Sequence, residues 1–507
     1  MKYRIGISLA IALIAGAFAF TTRASAFTST QATNIWNAYN NAFYVGNTGD
    51  AYYRQDQGGG QDIGDFWYNA EELEMADDRA ARSGSAGDKT IVAALVNGFD
   101  ATYGSDWTGD MYNDDVMWAC LAHLRAYFVT GSTNTNWAVE AADNFNWVYN
   151  GGHSPGRSAP QVDGTYGGGM WWTTDHSSTG TKNACDNGPA ALVAYYLSTI
   201  WPSGTGFLSQ SQSLYNWEKS TLVTSSGYVY DHTGSSGVTG YDLSYNAGAF
   251  IGAAYLLGDS GEAQLAATYF MNSVDGGQNG ILPAYGSGGG NDDGFSGIFF
   301  RWMALYMNGS GTQSIYGEWL YNNAAAALNV ANSADLSWNT WTSSTPSSGL
   351  YSWDCSSSVV ALQVLAPSGI TNGVHTLTPA CATGSRLDDY GAGTGNGNKI
   401  DIWQSNGTQA QNWSFAAISQ NGYNLAVNLG PYCLDGGAAQ VGTPTQIWGC
   451  NGTADQLWNG IPVSGGYEFV SGQSDLCVDV SGAGSANGTT VQSWSCNGSN
   501  AQIWAVN

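Results

Sequence analysis

Apolar positions recur every three or four residues through most of the first 365 positions, the periodicity of amphipathic helices. Twelve segments carry it: 35–44, 65–82, 89–103, 115–129, 136–149, 182–198, 207–222, 245–257, 261–273, 297–307, 312–331 and 355–366. Strand-like alternation is scarce there. Some connections are short and polar, whereas 150–181, 224–244 and 276–296 are long and rich in Gly and aromatics. Long irregular loops inside a compact domain are usually functional. A dozen helices with such loops gathered at one end predict an all-α toroid, with inner helices ringed by outer ones.

Past residue 372 the pattern changes to short strand-like runs and Gly-rich turns. Gln411-Asn412-Trp413, Gln456-Leu457-Trp458 and Gln502-Ile503-Trp504 recur at spacings of 45 and 46 residues. Upstream of each lies Leu387-Asp388, Cys433-Leu434-Asp435 or Cys477-Val478-Asp479. Between them stand Ile402-Trp403, Gln446-Ile447-Trp448 or Gln492-Ser493-Trp494. Three copies predict a threefold all-β domain over 372–507 after a helical domain over 27–368. Cys433 with Cys450 and Cys477 with Cys496 enclose equivalent loops, which predicts two disulfides worth about 3 kcal/mol each if unstrained. Cys381 is left over, with Cys355 or another thiol of the helical part open as its partner.

The first 26 residues stand apart from both. Lys2 and Arg4 precede the apolar run 5–20, and Ala24-Ser25-Ala26 supplies a small-x-small cleavage pattern, the form of a removable secretory signal. No later apolar segment approaches ~20 residues, so an exported, extracellular protein without a membrane span is expected. Loss of Lys2, Arg4 and Arg23 with the leader takes the formal charge from −25 to −28, which disfavours nucleic acid and anionic membranes as partners. Only 10% of residues are charged, against 21 Trp and 29 Tyr, a surface suited to an uncharged, hydroxyl-rich ligand that stacks on aromatic faces. No Cys-x-x-Cys or His cluster appears, so neither a zinc site nor another metal or cofactor is expected. The chain is expected to act as a monomer.

The candidate chemistry starts at Asp114 and Asp115, which open the predicted helix 115–129 after a Gly-Asp-Met loop. Hydrolysis of a glycosidic bond uses such a pair, one carboxyl to protonate the leaving oxygen and one to attack the sugar carbon or activate water. Neighbouring side chains diverge by about 100° around a helix, yet at its N-terminal edge both can reach one cleft. An Asp at a helix start also serves as a cap, and that reading stays open for the pair taken alone. Similar loops precede other helices. Gly168-Gly169-Met170-Trp171-Trp172 puts two indoles beside flexible backbone. Asp186-Asn187-Gly188-Pro189 reads as a helix start with Pro near its first position. Tyr245-Asn246 and Asn291-Asp292-Asp293 lead into two more helices, and capping or core packing is the alternative for each.

The C-terminal repeat resembles the ricin-type β-trefoil of carbohydrate-binding module family 13. That resemblance implies a sugar pocket made by Asp435, Gln446, Trp448, Asp455 and Gln456 in the second copy. It implies Asp479, Gln492, Trp494 and Gln502 in the third, where Ala501 replaces the usual polar partner. The first copy has Asp388 and Trp403, but Asp401 in place of Gln and Ala410 before Gln411. The helical part resembles glycoside hydrolase family 76, secreted endo-α-1,6-mannanases with an (α/α)6 barrel. The likeness rests on Asn113-Asp114-Asp115 with Trp118, on Trp171-Trp172, Lys182-Asn183, Asn187-Gly188-Pro189, Tyr245-Asn246 and Phe295 to Arg301. Ser296 stands where Lys is expected. The family is retaining, so the resemblance implies Asp114 as nucleophile, Asp115 as acid/base, and α-mannan as substrate. Trp118, Trp171, Trp172, Asn187, Tyr245, Asn246, Asp292 and Asp293 are then expected to shape the sugar subsites. Alternatives are an inactive secreted lectin, a transglycosylase, or a hydrolase of another α-glycan on the same barrel.

Overall fold

The computed structural model describes residues 27, 29–47, 49–60, 62–153, 156–273, 280–286, 288–310, 312–365, 370, 372–417, 422–438, 440–463, 465–474 and 476–507. The leader and most of the junction predicted at 368–372 lie outside them. No helix among the described residues is long and apolar enough to cross a membrane.

Twelve helices form the first part: α1 (Ser29–Phe43), α2 (Phe66–Ser83), α3 (Ala86–Tyr103), α4 (Asn113–Val129), α5 (Thr135–Asn150), α6 (Ala184–Ile200), α7 (Phe207–Thr221), α8 (Ser244–Leu256), α9 (Ser260–Ser273), α10 (Phe295–Ser310), α11 (Gln313–Asn329) and α12 (Ser352–Val364). Every even-numbered helix packs against the next even one, and α12 closes back on α2, so six inner helices make a ring. The odd-numbered helices lie outside, each against its sequence neighbours except α1, which packs on α12. Local chemistry fixes the ends: Gly84 closes α2 with φ +63° and donates its N–H to Ala80 O at 2.9 Å. Ser85 then caps α3, its Oγ accepting from Asp88 N–H at 3.0 Å. One predicted start moves. α6 begins at Ala184 with Asn183 as N-cap, so Pro189 lies inside the helix rather than near its first position.

Small residues let the ring close. A Cβ at Gly248 of α8 would lie 2.7 Å from Phe299 Cα of α10, too close for any side chain. Inner helices in a ring are surrounded by protein, yet α2 buries Glu71, Glu72, Glu74, Asp77 and Asp78. Two arginines answer them, one from the neighbouring α4 and one from α10, further round the ring. Arg125 of α4 pairs with Glu74 (2.8 Å) and Asp78, and Arg301 of α10 pairs with Glu71 (2.7 Å) and Asp78 (2.9 Å).

The second part is a three-repeat, antiparallel β-domain with its own apolar core. The threefold relation is visible in single bonds. Trp413, Trp458 and Trp504 are fully buried, and each Nε1–H donates to the carbonyl of Leu387 (3.1 Å), Leu434 (3.0 Å) or Val478 (3.0 Å). Cys433–Cys450 and Cys477–Cys496 are disulfide-bonded. Cys381 is a free thiol, as are Cys120, Cys185 and Cys355, so no bridge joins Cys381 to the helical part.

Candidate active site

The first turn of α4 is held from outside the helix. Asn113 N–H donates to Trp172 O at 2.8 Å, and its Nδ2 donates to Trp171 O at 2.7 Å and to Gln161 Oε1 at 3.1 Å. Buried Arg157 donates from Nε to Asn113 Oδ1 at 2.9 Å and also holds the carbonyls of Thr108 and Asp110. Tyr112 is the N-cap, so neither aspartate of the pair occupies the capping position. Asp114 and Asp115 project instead into a cleft of about 990 Å³.

The inner helices run the same way around the ring, and the N-terminal turns of five of them floor this cleft. They contribute Phe66 and Trp67 (α2), the aspartate pair (α4), Cys185 (α6), Tyr245 (α8) and Phe295 (α10). Loops wall it with Asp110, Tyr112, Trp172, Asp175, Asp231 and Asp292, and a short strand adds His232. Burial raises the pKa of both members of the pair, but unequally. At Asp114 the rise is opposed by a hydrogen bond from the Cys185 thiol and by backbone N–H groups. At Asp115 burial is reinforced by the charges of Asp114, Asp110 and Asp65, and its carboxyl donates a hydrogen bond to Asp110, so Asp115 rises further. Two adjacent carboxyls with separated proton affinities can divide into a base or nucleophile and an acid.

The expected subsite residues separate into two layers. Trp118, Trp172, Tyr245 and Asp292 line the cleft with the aspartates, and Tyr245 stacks on Phe295 with ring centroids 3.8 Å apart. Trp171, Asn187, Asn246 and Asp293 are buried beneath it. Trp171 Nε1 donates to Asp163 Oδ2 at 2.9 Å, and its ring stacks on His176 while Lys182 lies over it. Asn187 braces the Met170 backbone, accepting from its N–H at 2.7 Å. Asn246 Nδ2 donates to Asp231 Oδ1 at 3.1 Å, and Asp293 accepts from Gly290 N–H at 2.7 Å. Sequence reasoning missed Asp65, Trp67, Asp110, Cys185, Asp231 and His232. Asp65 could have been found, since it opens a predicted helix as the aspartate pair does.

In the β-domain the second and third copies hold matching side-chain clusters. Asp435 faces Gln446 across paired strands, as Asp479 faces Gln492. Gln446 and Gln456 donate to the two oxygens of Asp435, both at 3.1 Å, and Gln492 (2.9 Å) and Gln502 (3.1 Å) do so to Asp479. Trp448 and Trp494 stand beside them, 39% and 40% exposed, and Asp455 lies next to Gln456. In the first copy Trp403 is equally exposed, but Asp388 faces Asp401, whose oxygens find no hydrogen-bond partner.

Residues 23–378 match the model of glycosyl hydrolase family 76. The chain belongs to that family. Residues 374–504 match the ricin-type β-trefoil lectin domain. No curated protein sequence matches the chain. Among solved structures, the GH76A α-1,6-mannanase of Salegentibacter sp. HEL1_6 is 25% identical over 66% of this chain and 98% of its own, with a TM-score of 0.58. An inactive variant of it, with two consecutive aspartates replaced by asparagine, is similar to the same extent and is in complex with α-1,6-mannotriose. The family 76 mannosidase Bt3792 of Bacteroides thetaiotaomicron is 16% identical, covers 66% of this chain and 96% of its own, and shares the fold at a TM-score of 0.53.

Proposed function

We propose that this protein is a secreted, retaining endo-α-1,6-mannanase with Asp114 as nucleophile and Asp115 as acid/base. The observation that carries the reading is the placement of the adjacent pair on the cleft floor, where burial and neighbouring charge raise Asp115 above Asp114. In the first step Asp115 protonates the glycosidic oxygen while Asp114 attacks the anomeric carbon, leaving a glycosyl-enzyme ester. Asp115, now ionised, then takes a proton from water, which attacks the same carbon and releases Asp114. Two inversions leave the α-configuration. Trp172 and the Tyr245–Phe295 stack offer apolar faces to sugar rings, and the surrounding acids accept from hydroxyls. The trefoil holds the enzyme on the polymer and raises local substrate concentration. The extracellular setting is supported by the leader pattern and the two disulfides.

The test is product analysis on linear α-1,6-mannan. Wild type should release short oligosaccharides whose new ends are α by NMR, and Asp114→Asn and Asp115→Asn should each lose about 10³-fold or more in kcat. A wild-type chain inert on mannan but bound to it through residues 372–507 would replace the enzyme reading with a lectin reading.

A further inference from the structure

On the outer side of the barrel, away from the cleft, three consecutive helices bring together Asp100 (α3), His123 (α4) and Glu140 (α5). Their ligand-type atoms all lie within 4.8 Å of one another. His123 is fully buried, with Trp107 and Phe99 around its ring at centroid distances of 4.6 and 5.3 Å. Its Nδ1 sits 2.9 Å from Ala119 O, a carbonyl that can only accept, so Nδ1 carries the proton. Nε2 is then the atom left to use its lone pair, and it points at Asp100 Oδ1, 3.1 Å away. A histidine whose far nitrogen is pinned to a backbone carbonyl is the usual supporting arrangement for a metal ligand.

We infer that Asp100, His123 and Glu140 form a divalent-cation site of zinc type that ties the outer helices α3 and α5 to the inner helix α4. Ligand atoms about 2.0–2.2 Å from a common zinc stand roughly 3–3.5 Å apart, which the Nε2–Oδ1 separation matches. The rival arrangement is an imidazolium with a second proton on Nε2. That proton serves Asp100 alone, and buried Glu140 Oε2 keeps no hydrogen-bond partner. It also leaves two carboxylates against one positive charge. A dication satisfies all three ligand atoms and balances the charge. Asp100 and Glu140 are each partly exposed, so a water can complete a fourth position and an ion can enter. The ligand spacings of 23 and 17 residues across three helices carry no short motif, which is why the sequence pattern does not announce the site.

The experiment titrates chelator-stripped, full-length protein with zinc in competition with a chromophoric chelator, alongside a thermal melt. One zinc per chain should bind, with a rise in melting temperature, and calcium should produce neither effect. Glu140→Gln and Asp100→Asn, at two partly exposed positions, should each weaken zinc binding by about tenfold or more and remove the zinc-dependent rise. Circular dichroism of each variant checks that the helices persist. No stoichiometric zinc binding by wild type would overturn the inference. Binding that both folded variants retain undiminished would overturn it as well.

Discussion

The Asp115 carboxyl donates a hydrogen bond to Asp110, an acid five positions upstream and outside α4. Asp110 is itself pinned, accepting from Tyr112 N–H at 2.9 Å while its carbonyl is held by Arg157. Its charge therefore helps keep the proton on Asp115.

Asp110→Asn should lower the Asp115 pKa, because it removes a negative charge that raises it. An acid with a lower pKa loses its proton earlier, so the alkaline limb of the kcat/KM profile should move to lower pH. Full pH–rate profiles of the two proteins check this, and an unmoved alkaline limb would count against Asp115 as the acid.

Cys185 lies between Asp114 and Tyr245. Its thiol is shared between Asp114 and Asp186, whose Oδ2 lies 3.9 Å away, and Tyr245 donates to it. Burial holds the thiol far from ionisation, so its role is positional. Cys185→Ala should raise the Asp114 pKa and shift the acidic limb of kcat upward in pH, while Cys185→Ser, which keeps a donor, should restore the wild-type limb. Equal profiles for the two variants would show that the hydrogen bond is immaterial.

The helical periodicity located all twelve helices to within a few residues, except that α1 starts six residues earlier than the pattern indicates. Repeating units are legible for the same reason, since each Gln-x-Trp tryptophan packs inward and donates to an equivalent carbonyl. The cleft was legible only in part. Asp114 and Asp115 are neighbours in sequence, whereas Asp65, Cys185 and Asp231 reach the same space only because the ring brings several helix starts and loops together. Trp171 and Asn187 fall in the motif yet lie below the cleft, Trp171 because its N–H pairs back on Gln161 O and Asn187 because it sits within α6 against the Met170 backbone. Gly169, with φ +77°, lies so close to Trp217 that a Cβ would approach its ring to 2.3 Å.

The three exposed tryptophans of the trefoil differ in what stands beside them. Asp435 and Asp479 are each fixed by two glutamine donors, but Asp388 faces a second carboxylate at Asp401. Trp448→Ala with Trp494→Ala should therefore cut retention on insoluble mannan by about 10²-fold, with kcat on short soluble oligosaccharides unchanged. Trp403→Ala should have the smallest effect. Pull-down isotherms with each variant measure this, and a dominant loss from Trp403→Ala would reverse the ranking of the pockets.

The buried acids of α2 outnumber the two arginines that reach them, and the surplus sets how stability depends on pH. Glu72 accepts from Tyr39 Oη–H at 3.1 Å but pairs with no cation among the described residues, and burial raises its pKa from 4.5 to about 8. Burial also raises the nearby Glu71 and Asp77. The folded chain thus keeps a proton on Glu72 that the unfolded chain releases above about pH 4.5. The stabilisation from this group is fully present below that point and falls as pH rises through 8, a change on the order of 5 kcal/mol if Glu72 acted alone. Glu72→Gln keeps a neutral side chain of the same shape and has no proton to release. Its unfolding free energy should decline less between pH 5 and pH 9 than that of wild type, as measured by denaturant titration at each pH. Parallel curves for the two proteins would mean that Glu72 is ionised in the folded state.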